Sequence, residues 1–491
     1  MLNGKRALLL FDNAADAAQV KPLIPPPTCA LLVTSRKYFT LAGLQPIRLD
    51  VLSESESRDL LLKLCARIGA HADEIARLCG YLPLALEIAT GFIAEHSDVA
   101  VETYASRLNE RKGKRLGLLK KADEPDLNVE AAFALSYDQL TDENRARWRA
   151  LAVFPAPFDA SAAASVWEIE EQSAQEILSE FYRANILQFG EESRRYQLHD
   201  LLQEFADARV PDEERAAVQL RHAQYYLKIA TLADEIYLTG KVLEGLALFD
   251  AEWSHIKGGQ AWAAENIEIS DDAAKLCNDF PDASVYCLDL RLGAKEKIVW
   301  LEIAVQAAGK LKRRRSEGTH LGNLGLAYAD LGDARKAIEF YEQALAISRE
   351  IGDKRGEGQD LGNLGNAYAA LGEARKAIEF YEQALAIARE IGDKRNEGNW
   401  LGNLGNAYAA LGDARKAIEY REQAIAIARR IEDRLNEGIQ LGGLGQLYGS
   451  LGEVRNAIKF TQAALEIFVA IESPYAERAR KQLEELRKKA G

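Results

Sequence analysis

Two residues with the chemistry of a nucleotide site stand at the ends of two short apolar runs. Lys5-Arg-Ala-Leu-Leu-Leu-Phe-Asp12 closes on an acid, and Cys29-Ala-Leu-Leu-Val-Thr-Ser-Arg36 closes on a base. Runs of this kind read as buried parallel strands. Open α/β sheets bind ligands beyond the carboxyl ends of such strands. Asp12 would face a metal there and Arg36 a phosphate, the pairing a nucleotide site needs. A short helix over residues 14–20, stopped by Pro22 and Pro25 to Pro27, would connect the two strands, and a third short strand is expected at residues 47–50.

The larger signal lies further along the chain. Leu-Gly-Asn-Leu-Gly begins at Leu321, Leu361 and Leu401, and Leu-Gly-Gly-Leu-Gly begins at Leu441, a step of 40 residues each time. Apolar residues recur at three- and four-residue steps in both halves of each block, the helical period. Gly372 falls between the halves, where a helix end and a turn are required. Each block is therefore an antiparallel helix pair. Gly365 and Ala377 let the two helices approach, and Tyr368 and Tyr381 fill the remaining space. One pair cannot bury its apolar face alone, so the blocks must stack as a solenoid.

Leu364, Gly365, Tyr368, Ala377, Tyr381 and Ala384, with their counterparts in the other blocks, resemble the tetratricopeptide repeat in a 40-residue form; Arg421 and Thr461 depart from it at the second-helix aromatic position. The resemblance implies a groove lined by the first helices that takes a protein or peptide. Asn366, Asn406 and Gln446 form one polar row on those helices, interrupted by Leu326. Gln359 and Asn399 form a second, and Asn323, Asn363 and Asn403 a third. Asparagine carries both a donor and an acceptor, so a ladder of them can hold an extended backbone. The same residues can instead cap or bridge neighbouring helices. The first two rows are read here as partner contacts, and the third is left open between the two roles.

A second resemblance covers residues 1 to about 210. Leu-Leu-Leu-Phe-Asp-Asn13 resembles the Walker B strand of the NB-ARC (STAND-class) signal-transduction ATPases. Val33-Thr-Ser-Arg36 resembles their sensor 1, Cys79-Gly-Tyr-Leu-Pro-Leu-Ala85 their Gly-Leu-Pro-Leu-Ala motif, and Arg195-Tyr-Gln-Leu-His-Asp200 their Met-His-Asp motif. The resemblance implies ADP or ATP with Mg²⁺ as cofactors. Asp12 would bind the metal, Arg36 would sense the γ-phosphate, Pro83 would pack beside the adenine and His199 would touch the β-phosphate. Asn13 stands where many relatives carry a second acid. No Gly-x-x-x-x-Gly-Lys-Ser/Thr occurs in the 491 residues, and only four residues precede the Lys5–Asp12 run. That loop supplies the N–H groups that cradle phosphates, so its absence argues against hydrolysis. The expectation is a truncated product, a misplaced start, or a missing part supplied by another polypeptide. Such a half-sheet would expose a strand edge and an apolar face.

The expected architecture is mainly α: a partial α/β nucleotide-binding domain (1–52), a helical lid (53–122) opened by a Ser53–Glu56 capping box, a winged helix (123–210), a helical linker with degenerate repeats (211–317) and the tetratricopeptide solenoid (318–491). Residues 123–126, with Pro125, read as a linker. Lys295 to Gly318 align with the later second helices at the same offset. The basic blocks at Arg111–Arg115 and Lys310–Arg315 read as solvated. A helix near Ala174–Ala184 carries Glu176 and Glu180 against Arg183, too little base for phosphate neutralisation, so DNA binding through the winged helix ranks last. A net charge of −13 also argues against non-specific nucleic-acid binding. Five cysteines without paired metal spacing read as buried thiols of a reducing compartment. With no leader-like start and no spanning apolar run, a cytoplasmic location away from membranes is expected. The function expected is a regulatory switch responsive to ADP or ATP, with the array sensing a partner and homo-oligomers forming on activation. The alternative is a nucleotide-independent scaffold carrying a relic NB-ARC half.

Overall fold

The computed structural model describes the chain except residues 1, 3, 13, 15, 36–38, 40, 42, 46, 48–50, 114–123 and 491, and leaves out the side chains of 111–113, 124–131 and 490. Arg36, Asn13 and most of the expected third strand therefore lie outside the described residues. The chain forms two compact units, Met1–Gln139 and Leu140–Gly491. Helix dominates both, and the described strands make only two two-stranded sheets.

In the first unit, strands β1 (Leu8–Phe11) and β2 (Ala30–Val33) pair in parallel, with Leu8 opposite Ala30 and Phe11 opposite Val33. The Asp16 side chain accepts from the Gln19 N–H at 3.0 Å and caps the connecting helix Ala17–Val20, after which Pro22 admits only a 3₁₀ turn. One face of the pair stays open: Leu8, Leu10 and Leu32 are 69, 60 and 52% exposed. Helix Glu54–Leu64 begins at the expected capping box, with Ser53 Oγ accepting from the Glu56 N–H and the Glu56 carboxylate accepting from the Ser53 N–H. Instead of a linker reaching to residue 126, a helix runs Glu124–Gln139. Pro125 lies in its first turn, where a missing N–H costs nothing.

The second unit opens with helices Asp142–Ala150, Ala160–Trp167 and Glu171–Arg183. An antiparallel pair follows, β3 (Gln188–Gly190) with β4 (Arg195–Gln197), and then helix Asp200–Asp207. Tyr196 also bridges to Phe158, so the hairpin is tied back to the helices before it. Five further helices fill residues 212–310. The last of them, Ala294–Lys310, has the 17-residue length of the repeat helices and buries Ile298 and Leu301 against Leu321, Leu324 and Ile347. Its bounds lie 40 residues before those of Ala334–Glu350. Four helix pairs then follow at the 40-residue step, the first being Arg314–Asp330 with Ala334–Glu350. Gly332, Gly372, Gly412 and Gly452 take positive φ at the turn inside each pair. Helix Tyr475–Ala490 closes the stack with Ala479, Leu483 and Leu486 buried.

The packing inside a repeat follows from its small residues. A Cβ on Gly325 or Gly365 would overlap the ring of Tyr341 or Tyr381, so glycine there is what admits the tyrosine. Tyr368 stacks on Phe380 with centroids 5.2 Å apart and Lys376 over its ring at 4.9 Å, and the Tyr328–Phe340 and Tyr408–Tyr420 pairs repeat the arrangement. The basic block after Lys310 is engaged rather than simply solvated. Lys310 donates to the carbonyls of Ile267 and Glu268, Arg313 pairs with Asp279 at 3.0 Å, and Arg315 pairs with Asp353 at 3.0 Å.

Candidate functional site

Two sets of residues compete for function, a strand-tip set and a groove set. At the strand tips, Asp12 is exposed and its Oδ1 accepts from the Thr34 hydroxyl. The two chain segments are held together there by Ala14 N–H donating to the Thr34 carbonyl at 2.9 Å and Ser35 Oγ donating to the Ala14 carbonyl at 2.6 Å. Pro83 is the first residue of helix Pro83–Glu95, is exposed, and follows a turn in which Gly80 and Tyr81 both take positive φ. Helix starts present unpaired N–H groups and the positive end of the dipole.

His199 belongs to the second unit. It is half-buried and caps helix Asp200–Asp207, its Nδ1 accepting from the Leu201 N–H at 3.3 Å. That bond places the proton of the neutral ring on Nε2. The motif's first residue, Arg195, has a different task. Its guanidinium donates to the Glu252 carboxylate with both Nη atoms, and Nη1 also meets the Pro157 carbonyl at 3.0 Å, so the hairpin is anchored to helix Val242–Glu265. Glu252 raises the basicity of Arg195 above its usual value. Tested against a Mg²⁺–nucleotide, the residues present fit in part. The first unit offers an acid at a strand tip and a proline-led helix start, and the sequence holds no phosphate-cradling loop. No hydrolytic step follows from them.

The groove set lies on the array. First helices of successive repeats pack directly on one another while the second helices stand further apart, which puts the first helices on the inner side of the curve. Asn366, Asn406, Gln446 and Gln359 are exposed there, and Asn399 is half-buried. The rows are partly committed to the fold. Asn366 Oδ1 accepts from the Tyr381 hydroxyl at 2.8 Å and from Asn403 Nδ2 at 3.0 Å. Asn399 Oδ1 accepts from Asn436 Nδ2 at 2.8 Å. Asn406 Oδ1 accepts from Arg421. For Asn403, the bridging role is the one the structure places, and Asn366 and Asn406 use only their carbonyl oxygens in bonds among the described residues.

Sequence reasoning passed over what Arg421 does. It replaces the aromatic found at Tyr341 and Tyr381, is 7% exposed, and reaches under the next repeat to donate to Gln440 Oε1 at 3.0 Å as well as to Asn406. Burial depresses its pKa to about 10, and among the described residues no carboxylate pairs with it. A Cβ on Gly443 would overlap this guanidinium. Gly443 stands where the other three blocks carry Asn323, Asn363 and Asn403, so the signal was two matched departures 22 positions apart.

Comparison with known proteins agrees with the reading of the array. The tetratricopeptide repeat family matches residues 316–390 and 396–468. The array is a run of tetratricopeptide repeats. The chain is 34% identical over 226 residues to the regulatory protein AfsR of Streptomyces griseus, covering 44% of this chain and 23% of that protein. To AfsR of Streptomyces coelicolor it is 33% identical over 264 residues, covering 50% and 26%. The chain thus spans about a quarter of the length of these curated relatives. Among solved structures, a STAND protein with a tetratricopeptide repeat sensor from Pyrococcus horikoshii aligns over 97% of this chain and 70% of its own, at 16% identity and a TM-score of 0.48. Among the described residues no helix is long and apolar enough to cross a membrane.

Proposed function

We propose that this chain is a regulatory protein of the NB-ARC type whose tetratricopeptide array is the sensing arm, binding an extended segment of a protein partner along the first helices. The observation that carries the array's part is the exposed polar row on those helices. Gln359 and Gln446 make no hydrogen bond among the described residues, and Asn366 and Asn406 spend only their carbonyl oxygens on neighbours. Unspent polar groups repeated at the helical stacking distance suit the backbone of a bound peptide. By the resemblance stated above, Asp12, Arg36, Pro83 and His199 would each take part in a response to ADP, and partner binding shifts a closed state to an open one. The setting is cytoplasmic, and activation brings copies of the chain together.

A second reading is an array that works without nucleotide. In that case the array is a constitutive scaffold. Titrating purified chain with ADP and ATP in the presence of Mg²⁺ by calorimetry separates the two. Saturable binding that weakens in H199A supports the switch. Heat no different from buffer at millimolar nucleotide rejects it and leaves the scaffold. For the groove, Q359A/Q446A is expected to lose the partner retained by the wild-type chain with an unchanged melting curve, and equal retention would overturn the groove reading.

A further inference from the structure

Four residues stand at one equivalent place in the first helices, 40 positions apart: His320, Asp360, Trp400 and Gln440. All four are buried, and the last three each point toward a glycine of the preceding repeat. A Cβ on Gly362 would overlap the Trp400 ring, and one on Gly402 would overlap the Gln440 amide. Those two clefts between repeats are full. In the first cleft a Cβ on Gly322 would meet Asp360 Oδ1 at 3.6 Å, an ordinary contact, because the aspartate side chain is too short to cross the gap. What remains is a cavity of about 100 Å³ between helices Arg314–Asp330 and Lys354–Ala370.

The cavity is equipped for a donor. Asp360 is only 7% exposed. Its Oδ2 accepts from Ser348 Oγ at 2.8 Å, and its Oδ1 has no hydrogen-bond partner among the described residues. Ser348 stands where later repeats have Ala388, Ala428 and Phe468, so the repeat that carries the buried aspartate also supplies the hydroxyl that meets it. Ile347, Ile351 and Leu326 supply apolar wall, while Asn323, Gln359 and Asn363 set amide groups around the cavity. Arg315 and Asp353, paired at 3.0 Å, both belong to the lining and offset one another, so the Asp360 carboxylate is the unbalanced charge among the described lining residues. An aliphatic stem ending in a compact group with three donors matches this combination, and a planar guanidinium is bulkier.

We propose that this first cleft is a specificity pocket for one lysine side chain of the partner polypeptide, its ammonium meeting Asp360 Oδ1 and its stem lying against Ile347 and Leu326. The proposal rests on the groove reading above and adds the residue class the groove selects. Burial holds the Asp360 carboxyl near 7 in the free protein, and an entering cation favours the ionised form.

The probe is n-butylammonium, with n-butanol as its uncharged counterpart, titrated into the full chain and followed by NMR. Butylammonium is expected to saturate a single site and to bind about tenfold more tightly at pH 8 than at pH 6, as the ionised fraction of a group with pKa near 7 requires. D360N keeps the shape and the Ser348 contact. It should bind butylammonium and butanol alike, with an unchanged circular dichroism spectrum. S348A should retain the preference for the cation, which guards against reading a folding defect of D360N as loss of the site. Equal binding of the two probes to wild-type chain, an unaltered preference in D360N, or no saturable binding would each overturn the pocket. Saturable butylammonium binding together with full partner retention by Q359A/Q446A would reject the groove and leave the pocket standing, so the two failures are distinguishable.

Discussion

Arg421 offers the sharpest test of how the array balances burial against bonding. Depression of a guanidinium pKa from 12.5 to about 10 corresponds, at about 1.4 kcal/mol per factor of ten, to a burial cost on the order of 3 kcal/mol. Against this stand two hydrogen bonds to neutral oxygens of Asn406 and Gln440, at roughly 1–1.5 kcal/mol each. The two sides nearly cancel. In the second repeat the same place is filled by Tyr381, whose ring packs beside Gly365 and whose hydroxyl donates to Asn366, with Asn403 completing the set. Copying that arrangement with R421Y/G443N removes the buried charge and gains about 2 kcal/mol from ring burial. The double variant should therefore raise the urea midpoint of the array, followed by far-ultraviolet circular dichroism on the full chain. G443N alone should lower it, because the new side chain meets the guanidinium. A double variant less stable than wild type would mean that the bonds of Arg421 outweigh its burial, and the argument would fail. Repeat arrays lose strict two-state behaviour easily, so the comparison belongs on midpoints measured at one slope.

Other outcomes follow from single features. The Asp360 carboxyl titrates near 7 when folded and near 3.9 in an unfolded chain, so its contribution to stability is complete below about pH 4 and is lost as pH rises through 7. The loss is at most about 4 kcal/mol, and D360N should flatten the dependence of the urea midpoint between pH 5 and pH 8. Glu432 and Glu472 take positive φ where Gly352 and Gly392 sit in earlier repeats, and E432G should raise the thermal midpoint slightly, by about 0.5–1 kcal/mol of relieved backbone strain. E252A leaves the Arg195 guanidinium partly buried without its carboxylate, so calorimetric melting of the second unit should show a loss of about 3 kcal/mol.

The features legible in the sequence were those carried by local chemistry or by period. Ser53 with Glu56 made a capping box, Gly372 made a turn, and the 40-residue step made the stack, because each rule acts within a few residues or repeats four times. Pro125 misled, since a proline next to acids reads equally as a linker or as a helix's first turn, and only the helix that follows decides. The groove was harder. Asn366 looked like a surface residue, and its bonds to Tyr381 and Asn403 come from 15 and 37 positions away. Asp360 attracted no notice because one buried aspartate in a polar helix start carries no pattern. Its meaning appears only beside Trp400 and Gln440, which fill the clefts it leaves open.

The pairing of Arg421 with Gly443 also bears on how nearly identical repeats avoid stacking in the wrong order. The first three blocks share so much sequence that a repeat from one chain could dock on another with little loss, the route by which repeat proteins swap segments and form chains of copies. Behind Arg421, however, only the fourth block offers a residue without a side chain; Asn323, Asn363 or Asn403 brought to that place would collide with the guanidinium. The buried charge thus admits one successor among four look-alikes. A chain relieved of it should stack more tightly and less faithfully, giving more domain-swapped dimer on refolding at high concentration.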